Sequence, residues 1–242
     1  MLYFDFSDIK EVNRDELIRN LNHKLAYYEK IYGVEEATEP NLRLGDLIRI
    51  AYEKTGHPVV VLFDEYDSPL INSMYNNARH EELRQVMQSF YSPLKLSNLY
   101  LKFVFITGIT KFSQVSIFSA LNNIRNISML NEFAGICGIT DEELHSQLDY
   151  DVELLAHNLS KTKDEMYAKL KENYDGYHFS PKSADIYNPY SLLNAFNDKQ
   201  ISPYWFSSGT PTYLIKMLDK FQVQPSDIGN FRTDVEDFDT HT

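Results

Sequence analysis

Cysteine is nearly absent. Cys137 is the one copy in 242 residues, so no disulfide can form within the chain. That fits a reducing cytoplasm, the expected location. Long apolar runs are missing too. The longest reach about five residues, where a membrane helix needs roughly 20, so no membrane partner is expected. The opening MLYFDFSDIKEV carries acids early and lacks a basic segment followed by an apolar one, so it does not read as a signal peptide. Positive charge is in short supply. Lys and Arg total 23 against 35 Asp and Glu, a net charge of −12. A surface this acidic repels a phosphate backbone, so nucleic acid is not indicated as a partner. The four lysines of LSKTKDEMYAKLKE (159–172) alternate with acids and read as a solvated helix face.

What is present is a globular profile. Hydrophobic residues make up 43% and charged residues 24%, and 17 Tyr with 15 Phe imply an aromatic core. The length suits one large domain, or one domain with a small satellite. LYFDFS (2–7) alternates and reads as a strand. Asn13 and Glu16 form a capping box ahead of Leu17, Ile18, Leu21, Leu25 and Tyr28, which predicts a helix over 14–31. Leu44, Leu47, Ile48, Ala51 and Tyr52 predict a second helix, stopped by Gly56 and Pro58. VVVLF (59–63) has no polar face and predicts a central parallel strand buried on both sides. A helix over 79–91 and a strand LKFVFITG (101–108) follow. Strand, helix, strand at this spacing predicts a parallel α/β sheet. A short helix is expected near 113–121 and a further short strand at RNISML (125–130). From Thr140 the pattern changes to short capped helices: Thr140 with Glu143, Thr162 with Glu165, Asn188 before Pro189, Thr210 before Pro211.

VVVLF runs straight into Asp64 and Glu65, with Asp67 two positions on. A buried strand ending in Asp-Glu has the form of a Walker B motif. Ligands bind beyond the carboxyl ends of parallel strands. There the Asp can hold Mg²⁺ beside the β and γ phosphates, and the Glu can polarise an attacking water. The same letters also suit a strand that ends in an acidic turn. Thr107, at the end of the next strand, is placed as a sensor hydroxyl or as the start of a turn with Gly108. Other constellations are weaker. The seven His residues show no zinc spacing. Ser113 and Ser116 have no adjacent His. His57, His178 and the turn YDGY (174–177) read as structural, Trp205 as an anchor for helices, and Cys137 as a small buried apolar residue.

LFDEYDSPL, FVFITGITKFSQVSIFSALNNIRNISM, YDGYHFSPKS, YNPYSLLNAF and YWFSSGTPTYL occur in this order, and together they resemble the AAA-ATPase-like family. These are bacterial P-loop ATPase domains, often followed by a PD-(D/E)XK nuclease-like domain. The resemblance spans nearly the whole chain. It implies an α/β P-loop NTPase-like core with a parallel sheet over 1–138 and a helical lid over 139–224, and the acidic, aperiodic residues 225–242 are expected to form an extended tail. It implies ATP and Mg²⁺ as cofactors, with Asp64 on the metal, Glu65 and Thr107 catalytic, and Lys111 and Ser113 in a cofactor-binding segment that also holds Asn122 and Asn123. One departure stands out. None of the nine glycines is followed by lysine, so the GxxxxGK[ST] loop that cradles phosphates is not in this sequence. The expectation is a truncated or split ATPase, weak or inactive alone, completed by an upstream P-loop segment. Its fourth core strand, FVFITG, would be left with an open edge unless RNISML or another chain pairs with it. No nuclease-like D…(D/E)xK placement is found. The competing expectation is a non-catalytic interaction module that keeps the ATPase scaffold.

Overall fold

A computed structural model describes residues 1–10, 12–34, 39–71, 73, 76–108, 117, 123–128, 130–176 and 183–204. The chain divides into two compact units, with the boundary between Arg125 and Asn126.

The first unit is α/β. Its elements are β1 (Leu2–Asp5), α1 (Arg14–Tyr32), α2 (Pro40–Thr55), β2 (Val59–Asp64), α3 (Ser68–Ile71), α4 (Asn77–Tyr91), α5 (Pro93–Leu96) and β3 (Leu101–Ile106). The strands form one parallel sheet in the order β1-β2-β3. Local chemistry sets the helix ends. Asn13 and Glu16 make the expected capping box on α1. Gly33 ends the helix in the left-handed conformation, φ 58°, which glycine adopts without steric cost. Pro40 opens α2 at its first position, a turn earlier than the hydrophobic spacing suggests. Asn76 caps α4 by accepting from the Arg79 N–H. The short helices α3 and α5 were not legible, since four residues carry no period.

One side of the sheet makes the core. Leu2, Phe4 and Phe6 join Val59, Val61 and Phe63, and all are buried against Leu17, Leu21 and Leu25 of α1, Leu44, Leu47 and Ile48 of α2, and Leu83, Met87 and Phe90 of α4. Glu29 and Arg43 lie buried between α1 and α2 as a two-pronged ion pair. The other side differs from expectation. VVVLF is buried on one face only. Val60 and Leu62 are half-buried, Tyr3 and Phe103 are exposed, and Phe103 stacks on Phe105. The reason is the placement of the helices: every described α-helix of this unit longer than one turn packs on the Phe4–Phe63 face.

The outer edges of the sheet also differ from each other. At β1 the Tyr28 hydroxyl accepts from the Tyr3 N–H at 2.9 Å and donates to the Tyr3 carbonyl at 3.0 Å. At β3, among the described residues, no further strand pairs. RNISML is not that strand. Asn126 accepts from the Ser128 N–H through its side chain, and the Leu130 N–H bonds the Ile127 carbonyl. The backbone is spent on turns. The expected helix at 113–121 lies, apart from Ile117, outside the described residues.

The second unit is mostly helical. A 3₁₀ turn (Asn131–Phe133) precedes β4 (Ile139–Thr140), α6 (Asp141–Gln147), α7 (Asp149–Asn158), α8 (Lys163–Tyr174), β5 (Ile186–Tyr187) and α9 (Pro189–Asp198). The capping boxes of Thr140 and Thr162 and the Asn188 cap all form. The antiparallel β4–β5 ribbon was not foreseen, because two-residue strands leave no pattern. Leu144, Val152, Leu155, Met166, Leu170, Tyr174, Tyr187 and Leu192 make its core. Cys137 is exposed, against the expectation of burial. It sits in a run of turns between Gly135 and Gly138, and its neighbour Ile136 is exposed as well. The positions of Tyr177, His178, Trp205, Thr210–Pro211 and the acidic tail fall outside the described residues.

Candidate functional site

The site lies at the carboxyl ends of the three parallel strands, where such sheets bind their ligands. β1 and β2 run in register, so that Asp5 sits beside Asp64. β3 continues the alignment with Phe63 beside Ile106, and the Thr107 N–H bonds the Phe63 carbonyl at 2.9 Å. Asp64 and Thr107 are therefore placed side by side by the sheet itself.

Their side chains meet. The Thr107 hydroxyl donates to Asp64 Oδ1 at 2.5 Å. The Glu65 N–H donates to the same oxygen at 3.1 Å. The Tyr3 hydroxyl donates to the other oxygen, Oδ2, at 3.2 Å. The backbone behind the carboxylate is fixed as well: the Asp64 carbonyl accepts from the Phe6 N–H at 3.0 Å, and the Thr107 carbonyl accepts from the Tyr66 N–H at 3.0 Å.

Glu65 is the first residue past the strand and has φ 49°. A non-glycine residue in this left-handed region carries strain of about 1–2 kcal/mol, and such residues cluster where function holds the backbone. Burial pushes the Glu65 carboxyl above the ordinary carboxylate value. Lys10 pulls against this, while Asp64, Asp5 and Asp67 add to it. Glu65 therefore holds its proton more tightly than a surface glutamate.

Asp67 plays another part. It is fully buried with Tyr66. A Cβ placed on Gly108 would come within 2.5 Å of Asp67 Oδ1 and 2.4 Å of the Tyr66 ring. Glycine here lets the end of β3 lie directly on the DEYD turn. Gly108→Ala is expected to cost about 1–3 kcal/mol, the usual cost of overpacking, read as a lower urea midpoint. An unchanged midpoint would show that the turn has slack.

The donor set suits a hard cation held by one carboxylate. Mg²⁺ in nucleotide enzymes takes one or two carboxylates and completes its shell with water and phosphate oxygens. Asp64 at a strand end fits that use. Among the described residues no group of three His, Cys, Asp or Glu could cage a metal. Phosphate-binding backbone next to a lysine is not found among them either. Lys111, Ser113 and Asn122 lie outside the described residues, and Asn123 donates to the Leu94 carbonyl at 3.2 Å. Of the residues expected from the sequence, the structure brings Asp64, Glu65 and Thr107 together. The sequence did not single out Tyr3 or Lys10, which only the sheet register and the turn bring to the site.

Three comparisons bear on this geometry. Residues 1–118 match the family model described as AAA-ATPase-like, predicted AAA-ATPase. Over 180 residues the chain is 36% identical to a protein of Azotobacter chroococcum mcd 1, named as an uncharacterized protein in the vnfD 5′ region. That match covers 74% of this chain and 33% of the relative, so the chain spans about a third of the relative's length. No solved structure matches the chain. No described helix is long and apolar enough to cross a membrane.

Proposed function

We propose, with residues 1–118 as a segment of the AAA-ATPase-like family, that this chain carries the metal-and-water half of an ATP-dependent, Mg²⁺-dependent NTPase site. The observation that carries the reading is the contact of Thr107 with Asp64 at the ends of neighbouring parallel strands, with Glu65 bonded to the same carboxylate.

Asp64 is the metal carboxylate, and Thr107 holds it in place. Glu65 is the base that orients and polarises the attacking water. Mg²⁺, when bound, would neutralise charge that develops on the phosphate oxygens. The phosphate-cradling backbone and its lysine come from elsewhere: an upstream P-loop segment or a partner chain. ATP is the nucleotide the family resemblance implies, and a nuclease-like domain is the partner that it implies for longer forms of the chain.

A second reading has its own observation. Because no glycine precedes a lysine, the scaffold could serve as an interaction module without turnover. One experiment separates the two: the purified chain is titrated with a fluorescent ATP analogue, with and without Mg²⁺, beside Asp64→Asn and Glu65→Gln. The enzyme reading expects metal-dependent binding that Asp64→Asn abolishes and Glu65→Gln keeps, with hydrolysis, once a P-loop segment is supplied, lost in both. It also sets a sign with pH. A base with a raised pKa is deprotonated only at higher pH, so hydrolysis should fall off on acidification earlier than for an ordinary carboxylate. Binding indifferent to both substitutions would favour the interaction module.

A further inference from the structure

The loop after β1 carries a cation to which the proposed site gives no role. Lys10 is exposed, and the backbone around it is fastened to the DEYD turn. The Phe6 N–H donates to the Asp64 carbonyl at 3.0 Å, and the Ile9 N–H donates to the Phe6 carbonyl at 2.9 Å. Ile9 is buried. Its carbonyl, whose carbon is bonded to the Lys10 nitrogen, accepts from the Ser68 hydroxyl at 3.4 Å. Ser68 is tied to the site in turn, because its N–H donates to the Glu65 carbonyl at 3.0 Å. Beyond Lys10 the loop is held again, where the Arg79 guanidinium donates twice to the Val12 carbonyl, at 2.8 and 3.1 Å. A single residue, Ser68, thus bridges the backbone at Lys10 to the backbone at Glu65.

The charge around this lysine is one-sided. Asp5, Asp64 and Asp67 act on Glu65 with one sign, and Lys10 acts on it with the other. Lys24, whose charge acts on Asp5, is already paired with Asp8 at 2.7 Å. Lys10 has no carboxylate at ion-pair distance among the described residues. An ammonium held near a carboxylate but not on it is a point charge left for another anion.

We infer that Lys10 binds the terminal phosphate of the nucleotide and makes the site select a triphosphate over a diphosphate. This rests on the reading of Asp64 as the metal carboxylate and Glu65 as the base. The position follows from the reaction. Glu65 acts on the water that attacks the terminal phosphorus, so a cation beside Glu65 faces the terminal phosphate rather than the α or β phosphate. Charge on the oxygens of that group is what phosphoryl transfer must stabilise, and enzymes do so mainly by positioning and fixed charge. An ammonium needs no set direction of approach, so a flexible stem on a pinned loop suffices. Lys10 adds to the lysine that a P-loop would bring to the β and γ phosphates and does not replace it.

The test titrates the full 242-residue chain with fluorescent analogues of ATP and of ADP in the presence of Mg²⁺. The variants are Asp64→Asn, Lys10→Met, Lys10→Arg and Lys102→Met. Lys102 lies near the start of β3, at the opposite end of the sheet, so its loss controls for net charge. Lys10→Met should weaken ATP binding roughly tenfold, the scale of losing a hydrogen bond to a charged group, and leave ADP binding near wild type. Lys10→Arg should keep the preference for ATP, and Lys102→Met should match wild type. Equal losses for the two nucleotides, no loss for either, or a loss of the same size in Lys102→Met overturns the inference, since a mere counter-ion to Glu65 does not tell ATP from ADP. Binding that still needs Mg²⁺ and Asp64 then leaves the functional reading standing. Binding that is absent in wild type, or indifferent to Asp64→Asn, overturns that reading and the role of Lys10 with it.

Discussion

Replacing Phe63 by alanine should cost roughly 4 kcal/mol, near the top of the range for single core substitutions. Phe63 is almost fully buried and is the hub of the aromatic core. Its ring stacks on Phe4 at 5.2 Å and meets Tyr91 edge-on at 5.1 Å. Phe6 and Phe90 lie at 6.0 Å. Truncation removes the transfer energy of a phenyl ring and leaves a void lined by rings that cannot readily turn inward. Against a typical total of about 5–15 kcal/mol, this is enough to unfold a marginal domain. Phe63→Leu is therefore the companion variant, expected to lose only part of that amount. Urea unfolding would measure both. A loss under about 1 kcal/mol for the alanine variant would mean that the ring cluster is not the seat of stability. Phe63 directly precedes Asp64, so a folded variant should also show weaker metal-dependent nucleotide binding.

The second large effect concerns Arg43 and Glu29, which are 6% and 3% exposed. Arg43 Nε donates to Glu29 Oε1 at 2.8 Å, and Nη2 donates to Oε2. Arg43→Ala should cost about 3–5 kcal/mol, because it strands a carboxylate out of water. The double substitution Arg43→Leu with Glu29→Met is expected to recover most of the loss, since two apolar side chains leave no buried charge. Thermal unfolding of the single and double variants decides this. A double variant as unstable as the single one would mean that the pair is needed for packing geometry rather than for charge balance.

Much of both units could be read directly. Strand positions followed from branched and aromatic runs, and helix starts from Asn13, Thr140, Thr162 and Asn188, because both signals are local. The pairing of Glu29 with Arg43 was not legible, since each residue looks like an ordinary charge on an amphipathic helix. VVVLF shows the limit of composition. Five apolar residues suggest burial on both faces, yet the described helices cover one. Burial is a property of neighbours, and the sequence of a strand does not name them. Within the site, Asp64, Glu65 and Thr107 were visible because strand ends are visible. Tyr3 was not, as it looks like any aromatic of an alternating strand until the register lays it beside Leu62. RNISML failed for a related reason: its alternation is real, but Asn126 captures the backbone into a turn.

The register of the sheet also has a consequence for the order of folding. Leu2 pairs with Val61, and Val61 with Val104. No strand has a partner nearby in sequence, so each pairing must first close a long loop. The helices between them can form on local contacts alone, while strand pairings of this span are slow. On the ribosome β1 must stay unpaired until β2 has emerged, and β2 gains its second neighbour only after β3. Asp64, Thr107 and Tyr3 come from three strands or their ends, so their cluster is assembled when the sheet closes and cannot exist before β3 has emerged.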